Sequence, residues 1–355
     1  MSATGLKEQY AQHLKRKLLL GLALVVSVFA AGALSLRTGA YPLDVGDIPA
    51  VLAGRADEAT RHVFWNIRMP QVLAALLAGA CLGLGGTAMQ NVLRNPLASP
   101  FTLGISQGAV FGAVFAITVL HAGTAATTGT EEPAAWMGHV IVGCAFAGSL
   151  VTVAALVLLS SLRDLSPAAL ILAGVALSAF FGSATMLLQY FASDIEIASA
   201  VFWTFGDLKK AQWPQLGAIA AVLVPPSAYF LWKGWHFNAM IWGDDTARSL
   251  GIGVGALRLT ALVLAALAAS ATTAFMGIIG FVGLVAPHIV RMVIGQDHRF
   301  LFPYAALCAG LLLLVSDVLA RTVLAPVVLP VGILTSFAGA PLFLYLLMKH
   351  RDIRS

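Results

Sequence analysis

Few side chains in this 355-residue chain could do chemistry. Asp317 and Arg321 stand at i,i+4, Asp before Arg, which is a favourable helix ion pair. Asp244, Asp245 and Arg248 share the polar run WGDDTARSLGIG, Trp242 to Gly253. Arg68 lies two residues before Pro70, and His288 and Arg291 follow Pro287. No stretch fits G-x-x-x-x-G-K-[ST], the loop that cradles phosphates, so the chain cannot by itself hydrolyse a nucleotide. Cys81, Cys144 and Cys308 have spacings that fit neither a metal site nor a disulfide framework, and the eight histidines show no HExxH pattern. No metal and no bound cofactor are therefore expected. A membrane-embedded enzyme would need His, Asp, Glu or Cys clustered on facing helices, and the apolar runs offer no such set. An ion-coupled carrier, the weaker alternative, would need ionisable residues at membrane depth. Asp317 is the only carboxylate well inside an apolar run, and Arg321 is within its reach. His288 with Arg291 reads as a structural histidine beside a positive-inside arginine, in preference to a proton relay.

The elements that must position these residues are membrane helices. The chain is 59% hydrophobic and 10% charged, against roughly a quarter charged in soluble domains. The fold class is thus an all-α polytopic membrane protein, a single transmembrane domain over 1–355. Runs long enough to span, roughly 17–25 residues each, fall near Leu18–Leu36, Pro70–Met89, Leu103–Leu120, His139–Leu162 and Ala168–Phe191. Five more fall near Gln215–Trp232, Leu257–Phe275, Ile278–Ile294, Leu301–Leu319 and Val331–Met348, which makes about ten helices. Leu18–Leu36 follows a basic stretch and carries Ala31-Gly32-Ala33, but its length favours a retained helix over a cleaved signal. Fourteen of the 21 Lys and Arg fall on one set of alternate connections, which places both termini in the cytoplasm. The basic balance is a topology signal, and no nucleic-acid partner is expected.

Two stretches spend polar and helix-breaking residues inside this apolar chain: MQNVLRNPLASPFTLGISQG (Met89–Gly108) and MGIIGFVGLVAPHIVRMVIG (Met276–Gly295). In hydrocarbon each freed N–H or C=O needs a partner inside the protein, so these blocks suggest helices packed around something. Asn91, Asn95 and Pro96 read as a tightly built elbow. Small residues recur every fourth position at Gly79, Gly83 and Thr87, at Gly174, Ser178 and Gly182, and at Gly332, Ser336 and Ala340, the spacing of close helix packing. The helices starting near Pro70 and Leu257 run in opposite directions, so any internal repeat is inverted. Within 240–254 the two aspartates and the glycines are start and stop signals for a short helix. On the residues alone, it is either a solvated loop helix or a handle for a cytoplasmic partner.

The ordered series IRMPQVLAALLAGACLGLGGTAMQNVLRNPLASPFTLGISQGA, LILAGVALS, WGDDTARSLGIG, GFVGLVAPHIVRMVIGQDHRFLFP, SDVLAR and LPVGILTSFAGAPLFLYLL resembles the permease subunits of ATP-binding-cassette importers for iron–siderophore complexes, haem and cobalamin. The resemblance covers nearly the full length. It implies a homodimer in the bacterial or archaeal cytoplasmic (inner) membrane, with the substrate path along the dimer axis. Two copies of a cytoplasmic ATPase that uses ATP and Mg, and an extracytoplasmic substrate-binding protein, would complete it. An iron chelate (siderophore or haem) is the first-choice cargo, cobalamin the second and an oxyanion the third. By the same resemblance, Asp244, Ala247, Arg248, Leu250 and Gly251 couple to the ATPase. Arg68 and Arg321 dock the binding protein; for Arg321, pairing with Asp317 is an equal alternative. In the turn beginning at Leu165, Ser166, Pro167 and Ala168 align with a gate loop. Two residues depart from the family pattern: Gln71 stands where relatives often have arginine, and Val328 where they usually have glutamate.

Overall fold

In a bilayer every peptide group must be satisfied within its own segment, which leaves helices as the building unit. The structure, a computed structural model, describes residues 3–39, 41, 43, 46–122, 131–163 and 166–351. Helix α1 (Ala3–Arg37) leads to two short helices, α2 (Asp47–Leu52) and α3 (Glu58–His62). A π-helical turn, Val63–Arg68, joins α3 to α4 (Met69–Val92) without a break, giving one rod from Glu58 to Val92. After the elbow come a 3-10 turn (Pro100–Leu103), α5 (Ile105–Thr118), α6 (Glu131–Arg163), α7 (Pro167–Tyr190) and α8 (Asp194–Thr204). A second 3-10 turn (Leu208–Lys210) precedes α9 (Trp213–Trp232), α10 (Gly234–Met240) and α11 (Asp244–Ser249). The chain ends with α12 (Val254–Met276), α13 (Val282–Ile294), α14 (His298–Thr322) and α15 (Val331–Arg351).

Among the described residues, seven helices are long and apolar enough to cross a membrane: α1, the rod ending in α4, α6, α7, α9, α12 and α14. The other three expected spans coincide with shorter apolar helices, α5, α13 and α15. Two of these begin later than the hydropathy suggested, for a backbone reason. The Leu103–Leu120 run starts as a 3-10 turn and breaks at Gly104, whose φ of 79° is left-handed. The Ile278–Ile294 run stays irregular until Val282, with Gly277 at φ 81° and Phe281 at φ 64°. Glycine takes such a φ without cost, whereas a bulky residue there is unusual. Both breaks fall inside the two polar blocks of the sequence, and each separates a long central helix (α4, α12) from a short one.

α4 is the hub, packing most extensively on α14, then on α12, α13 and α9. A methyl group on Gly79 or Gly83 would run into the backbone of Gly310 or Ala305, so this small-residue stripe lets α4 and α14 touch. Gly174 and Ser178 of α7 meet Leu103 and Gly104 in the same way, while Gly182 faces open space. The main core cluster joins α4, α12, α13 and α14 around Leu82, Ala269, Met276, Leu301 and Leu313. A second cluster around Met89, Phe230, Phe237 and Phe302 sits where α4 ends.

Candidate functional site

A cleft of about 670 Å³ lies between the irregular segment 277–281, the chain following α8, and the first turns of α15. Its walls are Thr204, Phe205, Gly206, Ile278 and Phe281, faced by Gly332, Ile333, Ser336, Phe337, Ala340 and Pro341. Among the described residues, Thr204 and Ser336 bring the only polar side chains to this lining. In the third small-residue stripe, Ser336 and Ala340 line this space, while Gly332 packs on the backbone of Gly206 and Ile278. The left-handed Phe281 aims its ring at α15, where its Cβ blocks any side chain at Gly339.

Peptide groups hold this wall together. Ile278 N–H donates to the Thr204 carbonyl (3.1 Å), Asp207 N–H to Met276 (2.9 Å) and Gly332 N–H to Gly206 (2.9 Å). Three segments distant in sequence are thus cross-linked at one place, with a single-residue parallel bridge between Phe205 and Ile278. Gly206 and Gly332 permit it, since a Cβ on either would collide with the Ile278 carbonyl. Beneath the junction, Lys210 Nζ donates to the carbonyls of Phe205 (2.7 Å), Trp203 (2.9 Å) and Phe202 (3.3 Å), the carbonyls that end α8. Burial pushes the Lys210 ammonium down to about 8, opposed by the nearby Asp207 carboxylate.

At the same end of the bundle two arginines converge on the end of α1. Arg321 Nη2 pairs with Asp317 Oδ2 at 2.5 Å and donates to Ser35 Oγ at 2.6 Å. Its Nη1 reaches the Ser35 and Thr38 carbonyls at 3.2 and 2.7 Å. Arg68 also donates to the Thr38 carbonyl, and to that of Tyr41 at 3.4 Å. Basic side chains on the last carbonyls of a helix satisfy groups that have no intrahelical partner. Arg68 is only 5% exposed and Arg321 7%.

The opposite end is tied by side chains. Asp244, the first residue of α11, accepts from Arg94 Nη2 (2.6 Å) just past α4 and from Arg258 Nη2 (2.9 and 3.1 Å) on α12. Arg258 Nε also donates to the Val92 carbonyl at 3.0 Å, capping α4. Burial raises the Asp244 carboxyl, but the Arg258 hydrogen bond and the charges of Arg258 and Arg94 outweigh it and leave it below the usual carboxylate range. Nearby, Asp297 accepts from Asn238 (2.9 Å), Arg299 (2.7 and 2.9 Å) and Lys17 (3.3 Å). The His298 ring lies between Asn238 Oδ1 (3.1 Å) and Asn91 Nδ2 (3.1 Å), which together select the neutral ring with its proton on Nδ1.

The chain matches the model of the FecCD transport family over residues 24–349. It belongs to that family. An ABC transporter permease protein of Methanocaldococcus jannaschii is 47% identical over 345 residues, covering 96% of this chain and 97% of that one. The hemin transport system permease protein of Yersinia pestis is 38% identical over 339 residues, covering 96% and 98%. A solved metal-chelate-type ABC transporter in an inward-facing conformation superposes with a TM-score of 0.80 at 30% identity, over 92% of this chain and 98% of that one. The chain is thus an ABC importer permease, a multi-pass membrane subunit of a kind that works with ATPase and binding-protein partners.

Within this FecCD permease the residues singled out from sequence separate into tethers and surfaces. The expected helix over Trp242–Gly253 is only the six residues of α11, because Gly243 (φ 114°) and Gly251 (φ 78°) end it on both sides. Asp244 and the fully buried Ala247 face inward, against the bundle. Leu250 (66% exposed) and Trp242 (79%) face away from it, as does the Asp245–Arg248 pair. Arg68, expected to dock the binding protein, is buried against α1, and Arg321 takes the alternative open to it, pairing with Asp317 while buried against the same helix end. Ser166 accepts from the Ala169 N–H (3.3 Å) and Pro167 opens α7, so the expected gate residues form a helix cap, with Ala168 exposed in its first turn; Leu165 lies outside the described residues. Asn91 and Asn95 build the elbow, Asn95 by accepting from the Leu97 N–H (2.9 Å). Arg291 donates to Gln90 (2.7 Å), and His288 is buried edge-on to Phe343. Lys210, Asn238, Asp297 and Phe281 were not picked out from sequence. Asp297 just before a helical run is a readable N-cap, whereas nothing local marks the other three.

Proposed function

We propose that this permease pairs with a second copy to carry an iron chelate, haem foremost, across the cytoplasmic membrane. The cleft at the start of α15 would form half of the path. The observation that carries this is the cleft's size and lining. Its 670 Å³ lies within the roughly 300–1,000 Å³ of sites that hold drug-sized molecules, yet two hydroxyls are its only polar side chains among the described residues. A surface of that kind accepts a bulky, flat ligand without fixing it. The hemin permease among the relatives favours haem within the chelates. In this reading ten helices span, both termini and α11 lie in the cytoplasm, and the ATPase receives Trp242, Leu250 and the Asp245–Arg248 pair. The binding protein docks at the other end. There Arg68 and Arg321 shape the docking face from behind, through Thr38 and the end of α1.

Reconstitution with the cognate ATPase and binding protein tests this reading. Haem should stimulate ATP hydrolysis and enter vesicles, whereas cyanocobalamin should do neither. Uptake of cyanocobalamin in place of haem would replace the cargo and keep the machine. Leu250→Arg should abolish ATPase co-purification with an unchanged melting temperature; retained ATPase binding would remove α11 from the coupling role.

A further inference from the structure

We propose that Lys210 is a positioning residue for transport, its ammonium holding the Phe205–Gly206 wall of the cleft in place. The stoichiometry is complete. A lysine ammonium has three donors and no acceptor, and three carbonyls within 3.3 Å of Nζ take them. Those carbonyls belong to the last turn of α8 and to Phe205, the residue that bridges to Ile278. Phe205 and Gly206 are themselves cleft wall, and Gly206 is bonded to Gly332 on the facing side. A neutral amine keeps two donors and no charge, so at least one carbonyl would lose its partner and the rest would be held more weakly.

The surroundings leave this ammonium alone in its role. Asp207 and Lys209 are the charges on its own turn. Of the helices packed on that turn, α4 has no charged side chain, and α12 has only Arg258, at its far end. Asp194 and Glu196 lie at the other end of α8, and the basic residues of α15 at its last turn. Asp317 on α14 senses Asp207 and Lys209. With its pKa lowered to about 8, Lys210 loses its proton within the range that a purified transporter tolerates.

The role in transport rests on the cleft being the path, as proposed above. The experiment follows the cleft itself, so either reading can fail alone. Ser336→Cys, introduced after Cys81, Cys144 and Cys308 are changed to Ala, reports on the cleft through its rate of labelling by N-ethylmaleimide in detergent. At pH 7, Lys210→Met should raise that rate several-fold, and Lys210→Arg should leave it at the level seen with Lys210 intact. From pH 7 to 9 the ratio of the rate with Lys210 intact to the rate of the Lys210→Arg variant should climb with a midpoint near 8. Thiol ionisation and Lys209 are common to both backgrounds and cancel in the ratio. If Lys210→Met does not fold, the pH series carries the test. A flat ratio across that range overturns the proposal, as does a Lys210→Arg protein with a labelling rate already raised at pH 7.

Discussion

The two ends of the bundle are fastened by different chemistry. Where α4 finishes, the joints are mainly side chain to side chain: Asp244 with Arg94 and Arg258, and Asp297 with Asn238, Arg299 and Lys17. Where α4 begins, most joints end on peptide carbonyls, with the buried Asp317–Arg321 pair beside them. Arg68, Arg321 and Lys210 all donate to backbone, and the cleft wall is bonded backbone to backbone. The carboxylate joints at the α11 end are partly wet, and salt or a single substitution can undo them. The two arginine joints at the other end are buried and the Lys210 joint partly so, and they fail only if the donor is lost or the backbone moves. The first end is therefore built to be adjusted and the second to hold a shape.

Breaking the carbonyl end should cost the most. Arg321→Ala leaves the Asp317 carboxylate buried without its partner, a loss of about 3–5 kcal/mol by the usual cost of an orphaned buried charge. The melting temperature in detergent should fall sharply. Adding Asp317→Asn should recover much of the fall, since the two residues then no longer leave a lone charge. If the double variant melts as low as the single one, the guanidinium matters through Ser35 and Thr38 rather than through Asp317.

At the carboxylate end, Asp244→Ala should lower the melting temperature by less, because the carboxylate is partly wet and such pairs are screened. ATPase stimulation should instead be lost, since α11 is no longer held to α4 and α12. A fully stimulated Asp244→Ala protein would make the tether dispensable. The pH dependence follows from the depressed Asp244 carboxyl. Its contribution is fully present above the ordinary carboxylate value of about 4 and is lost only as pH falls through its lower folded value. Coupling should thus be flat from pH 8 to pH 5. A decline within that window would point to another titrating group.

Smallest of all should be Asp245→Asn. Its i,i+3 partner Arg248 lies 3.4 Å away and both side chains are in water. No change in melting temperature is expected, and any loss of ATPase binding would mark Asp245 as a contact with the partner.

The same contrast explains what the sequence disclosed. Apolar runs gave the positions of the helices, and the two polar blocks marked the breaks at Gly104 and Gly277–Phe281, because only glycine, proline and amide residues announce such breaks. Asp317–Arg321 was legible since i,i+4 spacing is local. Arg68 was assigned to docking the binding protein because its burial depends on Thr38 and Tyr41, about thirty residues upstream and just past the end of α1. Ala247 was assigned to a partner surface, yet in a helix of six residues only burial tells one face from the other. The cleft junction was invisible for a deeper reason: peptide groups are the same in every residue, and hydrogen bonds between them leave no mark on composition.

The rod from Glu58 to Val92 has one further consequence. At about 1.5 Å per residue its 35 residues reach roughly 50 Å, against a hydrocarbon layer of about 30 Å. Along the membrane normal about 20 Å of it would stand clear of the apolar layer, and less with tilt, most naturally where Arg61 and Trp65 lie. A load applied to that mast meets no loop on its way to Val92, where Arg258 grips the last turn. In the proposed reading, the overhang would feel a docked protein on one side of the membrane while its foot stands against the α11 attachment on the other.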